Sequence, residues 1–168
     1  SIAIETATQN YSSLSNTLQN KAYILLILGR LDSVLVHLNS SIDYARQLGS
    51  TELESEGMLL LGNYYSKKDD FIKARYYLDA TLEMTEGTGL LETAQYIALS
   101  YYDLLIEQKD YQEALFWYKR SEALKDSLSN RENDVKLAIA QSRLALSQKE
   151  AELELQRARL SNSQLIVF

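Results

Sequence analysis

Side chains that could do chemistry are few in this sequence, and they are not spaced for it. Cysteine is absent, which removes thiolate nucleophiles, disulfides and cysteine metal sites. His37 is the single histidine and stands beside Leu35 and Leu38, as a structural histidine on a helix would. There is no glycine-rich phosphate loop, no metal-ligand spacing and no pair of groups that would tune one another's pKa. We therefore predict a protein that is not an enzyme and needs no metal or cofactor.

The composition and net charge further limit the class of protein and the class of fold. Lys and Arg total 17 against 23 Asp and Glu, a formal charge of −6, which disfavours direct nucleic-acid binding. The excess lies in residues 1–126, which carry 11 basic and 18 acidic side chains, whereas residues 127–168 carry 6 and 5. Proline is absent, glycine occurs six times and 46% of residues are hydrophobic. This composition predicts an ordered, all-α protein.

The helices that must position any site recur at a fixed interval. A large apolar residue follows a turn signal at Leu31, Phe71 and Tyr111, each 40 residues from the next. The same period relates two further columns, which are Val34, Ala74 and Ala114, and then Leu38, Leu78 and Tyr118. A fixed period of this length predicts a repeat array, in which each unit buries its apolar face against its neighbours.

Each unit has the pattern of two helices. In unit two, Met58, Leu61, Gly62 and Tyr65 share one helical face, and Gly62 predicts a close approach to the neighbouring helix. Asp70 and the matching Asp110 stand where the second helix needs an N-cap. The other predicted stripes are Ala98, Tyr101, Tyr102 and Leu105 in unit three, and Leu18, Lys21, Ala22 and Leu25 in unit one.

These residues resemble the tetratricopeptide repeat. The resemblance is carried by Leu61-Gly62, Tyr65, Asp69-Asp70-Phe71, Ala74, Leu78 and Leu82. It implies a right-handed superhelical solenoid of helix hairpins over residues 11–126, with units at about 11–50, 51–90 and 91–126. Two features depart from the family, since the period is 40 rather than about 34 and the closing proline is missing. By the same period, residues 1–10 are interpreted as the end of a preceding repeat.

The segment 127–168 predicts one long helix, because it contains no glycine or proline and has Lys149-Glu150-Ala151 where the next turn would fall. One interpretation is a capping helix that uses Ala138, Gln141, Ser142 and Ala145 as a fourth first helix would. Another is a coiled coil that joins two copies in a homodimer. Its apolar residues form two seams, one through Ile139, Leu146 and Leu153 and the other through Leu137 and Leu144.

The resemblance also implies a binding groove. In this family the first helices line a concave surface that holds a protein or peptide segment. A clamp for a C-terminal carboxylate is not expected, because only Asn63 and Lys67 match one. The groove is expected to be mixed apolar and acidic, which suits an amphipathic or partly basic segment. The predicted groove residues are Tyr23, Leu26, Glu56, Leu59, Asn63, Lys67, Tyr96, Leu99, Asp103 and Glu107, with Asn16 and Gln19 earlier in unit one.

The junction Leu124-Lys125-Asp126-Ser127-Leu128 is similar to that in membrane-bound sensor histidine kinases of Bacteroidetes-type bacteria. That similarity implies a sensory module of a two-component system, signalling through the C-terminal helix, with a membrane anchor beginning at Leu165 to Phe168. The family architecture would place the repeats on the extracytoplasmic side of the inner membrane, whereas Arg157 and Arg159 before the apolar end would place that flank in the cytoplasm. The alternative is a stand-alone soluble adaptor or scaffold, cytoplasmic, whose C-terminal helix folds back on its repeats.

Overall fold

The computed structural model describes the backbone of residues 2–165 and the side chains of residues 10–157, and the regular structure of that part is entirely helical. The prediction of an all-α protein is confirmed. The helices are α1 (Ile2–Ile27), α2 (Val34–Leu48), α3 (Thr51–Lys67), α4 (Phe71–Thr85), α5 (Leu91–Glu107) and α6 (Tyr111–Leu165), with a 3₁₀ turn at Leu31–Ser33 before α2.

The 40-residue period is present in the backbone of three tight turns. Each turn has one residue in the left-handed region, and the N–H of the next residue donates to a carbonyl five positions back, which closes a helix C-terminus. The left-handed residues are Gly29, Asp69 and Lys109, at φ 68°, 57° and 63°. The closing bonds run from Arg30 to Leu25, from Asp70 to Tyr65 and from Asp110 to Leu105, at 2.9, 3.0 and 2.9 Å.

The two predicted aspartate caps are confirmed. Oδ1 of Asp70 accepts from the Lys73 N–H, and Oδ1 of Asp110 accepts from the Glu113 N–H, both at 3.2 Å. These bonds satisfy amides of the first turn that have no partner within the helix. The first repeat has Arg30 at this position, with no side-chain cap bond, and its chain makes the 3₁₀ turn before α2 begins.

Consecutive helices pack as hairpins, and alternate helices also touch. We call α1 with α2 hairpin one, α3 with α4 hairpin two, and α5 with residues 111–126 hairpin three. Helix α3 contacts both α1 and α5, while α2 contacts α3 and α4 contacts α5. Buried apolar residues form two clusters. One joins hairpins one and two through Ala22, Leu26, Val34, Leu38, Ile42, Leu61 and Tyr64. The other joins hairpins two and three through Leu59, Ala74, Leu78, Ile97, Ala98, Tyr101, Leu104, Leu105, Ala114 and Trp117.

Two glycines allow helices to approach closely. A Cβ atom at Gly62 would lie 2.9 Å from Cδ2 of Leu78, which confirms the predicted close contact between α3 and α4. A Cβ atom at Gly57 would lie 2.6 Å from Cγ1 of Ile42, so α3 also approaches α2 closely. Both glycines are buried inside a helix, where glycine costs about 1 kcal/mol relative to alanine.

The prediction that hairpin three repeats the apolar face of hairpin two is wrong at two positions. Tyr111 is 63% exposed and Tyr118 is 43% exposed, whereas Leu78 is 1% exposed. Trp117 is the buried aromatic residue of this part of α6, at 8% exposure and stacked on Tyr101 with ring centres 4.1 Å apart, and its register match Tyr77 packs against a buried cluster as well. The physical reason is that Leu38 and Leu78 pack into clusters shared with the following hairpin, whereas α6 continues as one helix and residues 10–157 supply no following hairpin for Tyr111 and Tyr118.

Neither predicted end of the repeat array is marked by a turn in the backbone. Helix α1 is continuous from Ile2, so no turn marks a boundary at residue 10. Helix α6 continues from Tyr111 past Ser127, so it contains no turn from which a fourth first helix could begin. The repeat register explains both cases: Gln9 replaces the left-handed Gly49, and Ser127 and Ser129 replace the left-handed Gly87 and Gly89.

The chain divides into two compact units, Ser1–Asp126 and Ser127–Phe168. Within the second unit the helix runs through Lys149-Glu150 without a break, as the sequence predicts. Its predicted seams are exposed, with Ile139 at 48%, Leu146 at 61% and Leu144 at 61%. No helix within residues 2–165 is both long and apolar enough to cross a bilayer. Residues 166–168, on which the predicted membrane anchor depends, lie outside the described residues.

Candidate functional site

The first helices of the three hairpins enclose one side of a cavity of about 520 Å³. Such a volume is within the range of small ligand pockets and is large enough for one or two side chains of a partner. Six of the ten predicted groove residues line it: Tyr23, Leu26, Asn63, Lys67, Asp103 and Glu107. The remaining lining residues are Ile27, Ser66, Asp69, Ser100 and Ile106.

The 40-residue register explains which side chains meet at the cavity. Three columns contribute, one in each of three adjacent helical positions, because side chains at matching positions of neighbouring repeats face the same side. The columns are Tyr23, Asn63 and Asp103, then Leu26, Ser66 and Ile106, and finally Ile27, Lys67 and Glu107. Of the second column the sequence prediction includes only Leu26, and of the third it lacks Ile27. Applying the 40-residue period to all three repeats also gives Ser66, Ile106 and Ile27 as lining residues.

The cavity combines an apolar wall with an acidic rim. Leu26, Ile27 and Ile106 supply the apolar side chains, and the ring of Tyr23 is 54% exposed beside them. Three carboxylates, those of Asp69, Asp103 and Glu107, stand against the single ammonium group of Lys67. The surplus of negative charge at a partly desolvated site favours a cationic group from a ligand.

Asp103 is the carboxylate whose titration the site alters most clearly. Burial raises the pKa of Asp103, the ammonium of Lys67 acts against that shift, and the negative charge of Glu107 adds to it. A ligand cation placed beside Asp103 would stabilise its charged form and therefore lower this pKa. Binding of such a ligand is thus expected to weaken as the pH falls and Asp103 takes up a proton.

The other predicted groove residues lie outside the cavity. Glu56 is half-buried on α3, and burial raises its pKa, with repulsion from Glu52 and Glu92 as further causes. Tyr96 is 57% exposed and Leu99 is half-buried. A second acidic region therefore follows the N-terminal ends of α3 and α5, away from the cavity lining.

Two residues assigned to the groove have structural roles instead. Leu59 is only 6% exposed and belongs to the core shared by hairpins two and three, so it has little surface to offer a ligand. Gln19 is 5% exposed, and its Nε2 donates to the Leu53 carbonyl at 2.7 Å. This bond joins α1 to the first turn of α3, which explains why a polar side chain is buried there.

Residues 10–157 contain no cluster of three or more His, Asp or Glu side chains placed to hold a metal ion. In comparisons with protein-family models, with curated proteins and with solved structures, the chain matches none. The likeness to the tetratricopeptide repeat thus depends on the residues and register of this chain.

Proposed function

We propose that residues 11–126 form a protein-binding module of the tetratricopeptide type, a right-handed superhelical solenoid that holds a segment of a partner in the cavity. The observation that supports the proposal is the meeting of three register-matched columns, one residue from each first helix, at a single cavity. The contacts of α3 with both α1 and α5 support it too, since a layer of adjacent first helices provides one continuous surface. In this proposal the chain is the sensory part of a larger bacterial signalling protein.

The chemistry of the cavity defines the kind of segment it would hold. An apolar side chain would contact Ile27 and Ile106, and a neighbouring Lys or Arg would approach Asp103 and Glu107. A helix that carries apolar and basic residues three or four positions apart meets both demands. The acidic region around Glu56 would attract the same kind of partner over a longer range.

A pair of model peptides tests this proposal. A fluorescent 15-residue amphipathic helix of Leu and Lys should bind the protein, and the same helix with Glu in place of Lys should not. In the variant Asp103→Lys/Glu107→Lys the preference should reverse, because each substitution replaces an attraction by a repulsion. Fluorescence anisotropy at low and at high salt measures both affinities, and the attraction should weaken as salt is added.

The matched control is Glu150→Lys/Glu152→Lys, which changes the net charge equally on exposed residues of the second unit. This control should retain the preference of the unmodified protein for the Lys peptide. If it weakens binding as much as the cavity variant does, the peptide responds to net charge alone. The cavity would then not be the binding site.

Signalling through the C-terminal helix is the second part of the proposal, supported by the unbroken run of α6 through Lys149-Glu150. Because the chain has no cysteine, spin labels can be placed on two introduced thiols, Ser129→Cys and Glu150→Cys. A continuous helix separates these positions by about 31 Å at 1.5 Å per residue. One narrow distance near that value is expected from pulsed electron resonance. A broad distribution would show a flexible segment that cannot transmit a movement.

A further inference from the structure

One face of hairpin three lacks the cover that matching faces have in the other hairpins. The face consists of Tyr111, Leu115 and Tyr118 on α6, which are 63%, 52% and 43% exposed. The matching side chains of hairpin one are half-buried at Leu31, in the 3₁₀ turn, and at Leu35, and fully buried at Leu38. On α4 the corresponding positions are Phe71, Arg75 and Leu78, of which the first two are half-buried and the third is 1% exposed. We call the exposed set the α6 face.

The structure shows what covers this face in hairpins one and two. On α2 the cover is α3, since Leu38 belongs to a buried cluster with Leu61 and Tyr64 of α3. Arg46 and Glu54 join these two helices by an ion pair of 2.7 Å. On α4, Leu78 lies against Gly62 of its own hairpin and belongs to a buried cluster with Ile97 and Tyr101 of α5, whose Tyr101 hydroxyl donates to the Asp79 carboxylate across the contact. In both cases the covering element is an amphipathic helix, fixed by one polar pair at its edge.

We propose that the α6 face receives an amphipathic α-helix from a partner protein, placed on α6 as α3 is placed on α2 and α5 on α4. This surface is separate from the cavity between α1, α3 and α5. The repeat register also defines the charges of the partner. Lys119 stands at the register of Asp79, and Asp126 stands at the register of Arg46. The partner helix therefore presents a carboxylate to Lys119 and a cationic side chain to Asp126.

Charge argues against a second copy of this chain as the occupant. Head-to-tail stacking would place α1 of one copy on the α6 face of another, because α1 holds the matching place in the first repeat. The residue of α1 at the register of Tyr101 is Lys21, which would then meet Lys119. The residue at the register of Glu54 is Leu14, which offers no cation to Asp126. Both edge contacts are thus mismatched in a self-assembled array.

The probe for this proposal is a pair of peptides made from residues 91–107, the helix that covers α4. One peptide carries Ala94→Lys and Tyr101→Glu, and the other carries Ala94→Glu and Tyr101→Lys. We expect the first to bind about fivefold more tightly, since two partly exposed ion pairs are formed instead of two like-charge contacts. The variant Lys119→Glu/Asp126→Lys should reverse this preference. Anisotropy of labelled peptides gives all four affinities.

Variants of the apolar contact complete the test. Tyr111→Ser/Leu115→Ser should weaken binding of both peptides at least about tenfold, because the removed side chains supply most of the apolar area. Ile72→Ser/Tyr76→Ser is the matched control, since both side chains are exposed on α4 outside the proposed contact, and it should change neither affinity. Circular dichroism verifies that both variants fold.

Two results would overturn the proposal. The first is a peptide preference that persists unchanged in Lys119→Glu/Asp126→Lys, which would mean that Lys119 and Asp126 do not contact the charged residues of the peptide. The second is a dimer of the unmodified protein in sedimentation equilibrium that Leu115→Ser dissociates, which would assign the face to a second copy. The cavity variant Asp103→Lys/Glu107→Lys should leave peptide binding here unaltered, so failure at one surface is separable from failure at the other.

Discussion

Hairpins two and three have the same turn geometry and the same aspartate cap but different cores. In hairpin two, Gly62 lets Leu78 become buried at 1% exposure. In hairpin three the matching pair is Tyr102 and Tyr118, whose ring centres lie 5.6 Å apart, and Tyr118 stays 43% exposed because residues 10–157 supply no following hairpin to cover it. The comparison teaches that turn chemistry sets the repeat length, whereas contact with the following hairpin decides which positions of a second helix become buried.

The largest expected loss of stability follows substitution of Trp117, and it should exceed the loss at Tyr77, the matching residue of hairpin two. Trp117→Ala should lower the free energy of unfolding by about 4 kcal/mol, because Trp117 is almost fully buried and stacks on Tyr101. Tyr77→Ala, the matching change in hairpin two, should cost about half as much, since Tyr77 is only half-buried. Urea unfolding followed by circular dichroism measures both. Equal losses for Trp117→Ala and Tyr77→Ala would mean that the stacking of Trp117 on Tyr101 adds nothing to the stability of hairpin three.

At the next position of the repeat, the larger loss of stability is expected in hairpin two. Leu78→Ala should lower the free energy of unfolding by about 3 kcal/mol, because the residue is fully buried between α3 and α5. Tyr118→Ala should lower it by about 1 kcal/mol, as 43% of the side chain is already exposed. The midpoints of urea unfolding give the two values, provided that the slope of the free energy of unfolding against urea concentration stays the same. A larger loss for Tyr118 than for Leu78 would contradict the assignment of the two cores.

A smaller effect tests the contact between Gly62 and Leu78 itself. Gly62→Ala should lower the free energy of unfolding by about 1 kcal/mol, since overlap with Leu78 outweighs the better helix propensity of alanine. When Leu78→Ala is already present, the overlap is relieved and Gly62→Ala should become stabilising. A double-mutant cycle measures this change of sign. An unchanged sign would show that Gly62 is needed for a reason other than this approach.

The same comparison explains how far the sequence could be interpreted. The turns at Asp69 and Lys109 and the caps at Asp70 and Asp110 follow from the period because they depend on local backbone geometry. The three cavity columns follow from it because matching positions of neighbouring repeats face the same side. The exposure of Tyr118 could not be predicted from the repeat pattern, since it depends on whether a following hairpin covers the second helix.

Two further differences between the sequence prediction and the structure concern Leu59 and the length of α6, and they have different causes. Leu59 was assigned to the groove because a helical pattern alone does not distinguish the side that meets a neighbouring repeat from the side that meets solvent. The continuity of α6 past residue 126 did have a local signal, namely serine at positions where Gly87 and Gly89 end hairpin two.

The smallest effect concerns the caps and is visible as a dependence on pH. Hydrogen bonds from the Lys73 side chain and N–H lower the pKa of Asp70. The stabilisation from its carboxylate is therefore complete above the unfolded value of about 4 and is lost as the pH falls through the lower folded pKa. Asparagine caps a helix as well as aspartate does, so Asp70→Asn removes the charge and retains the cap.

The melting temperature of Asp70→Asn should accordingly lie below that of the unmodified protein at about pH 6, and the difference should vanish near pH 2. Asp110→Asn is the matched control, because Glu113 stands where Lys73 would supply the ammonium group, and its melting temperature should follow the unmodified protein more closely. If the difference for Asp70→Asn stayed constant across this range, the ion pair of 3.0 Å between Lys73 and Asp70 would not contribute to stability, and the caps of hairpins two and three would be equivalent.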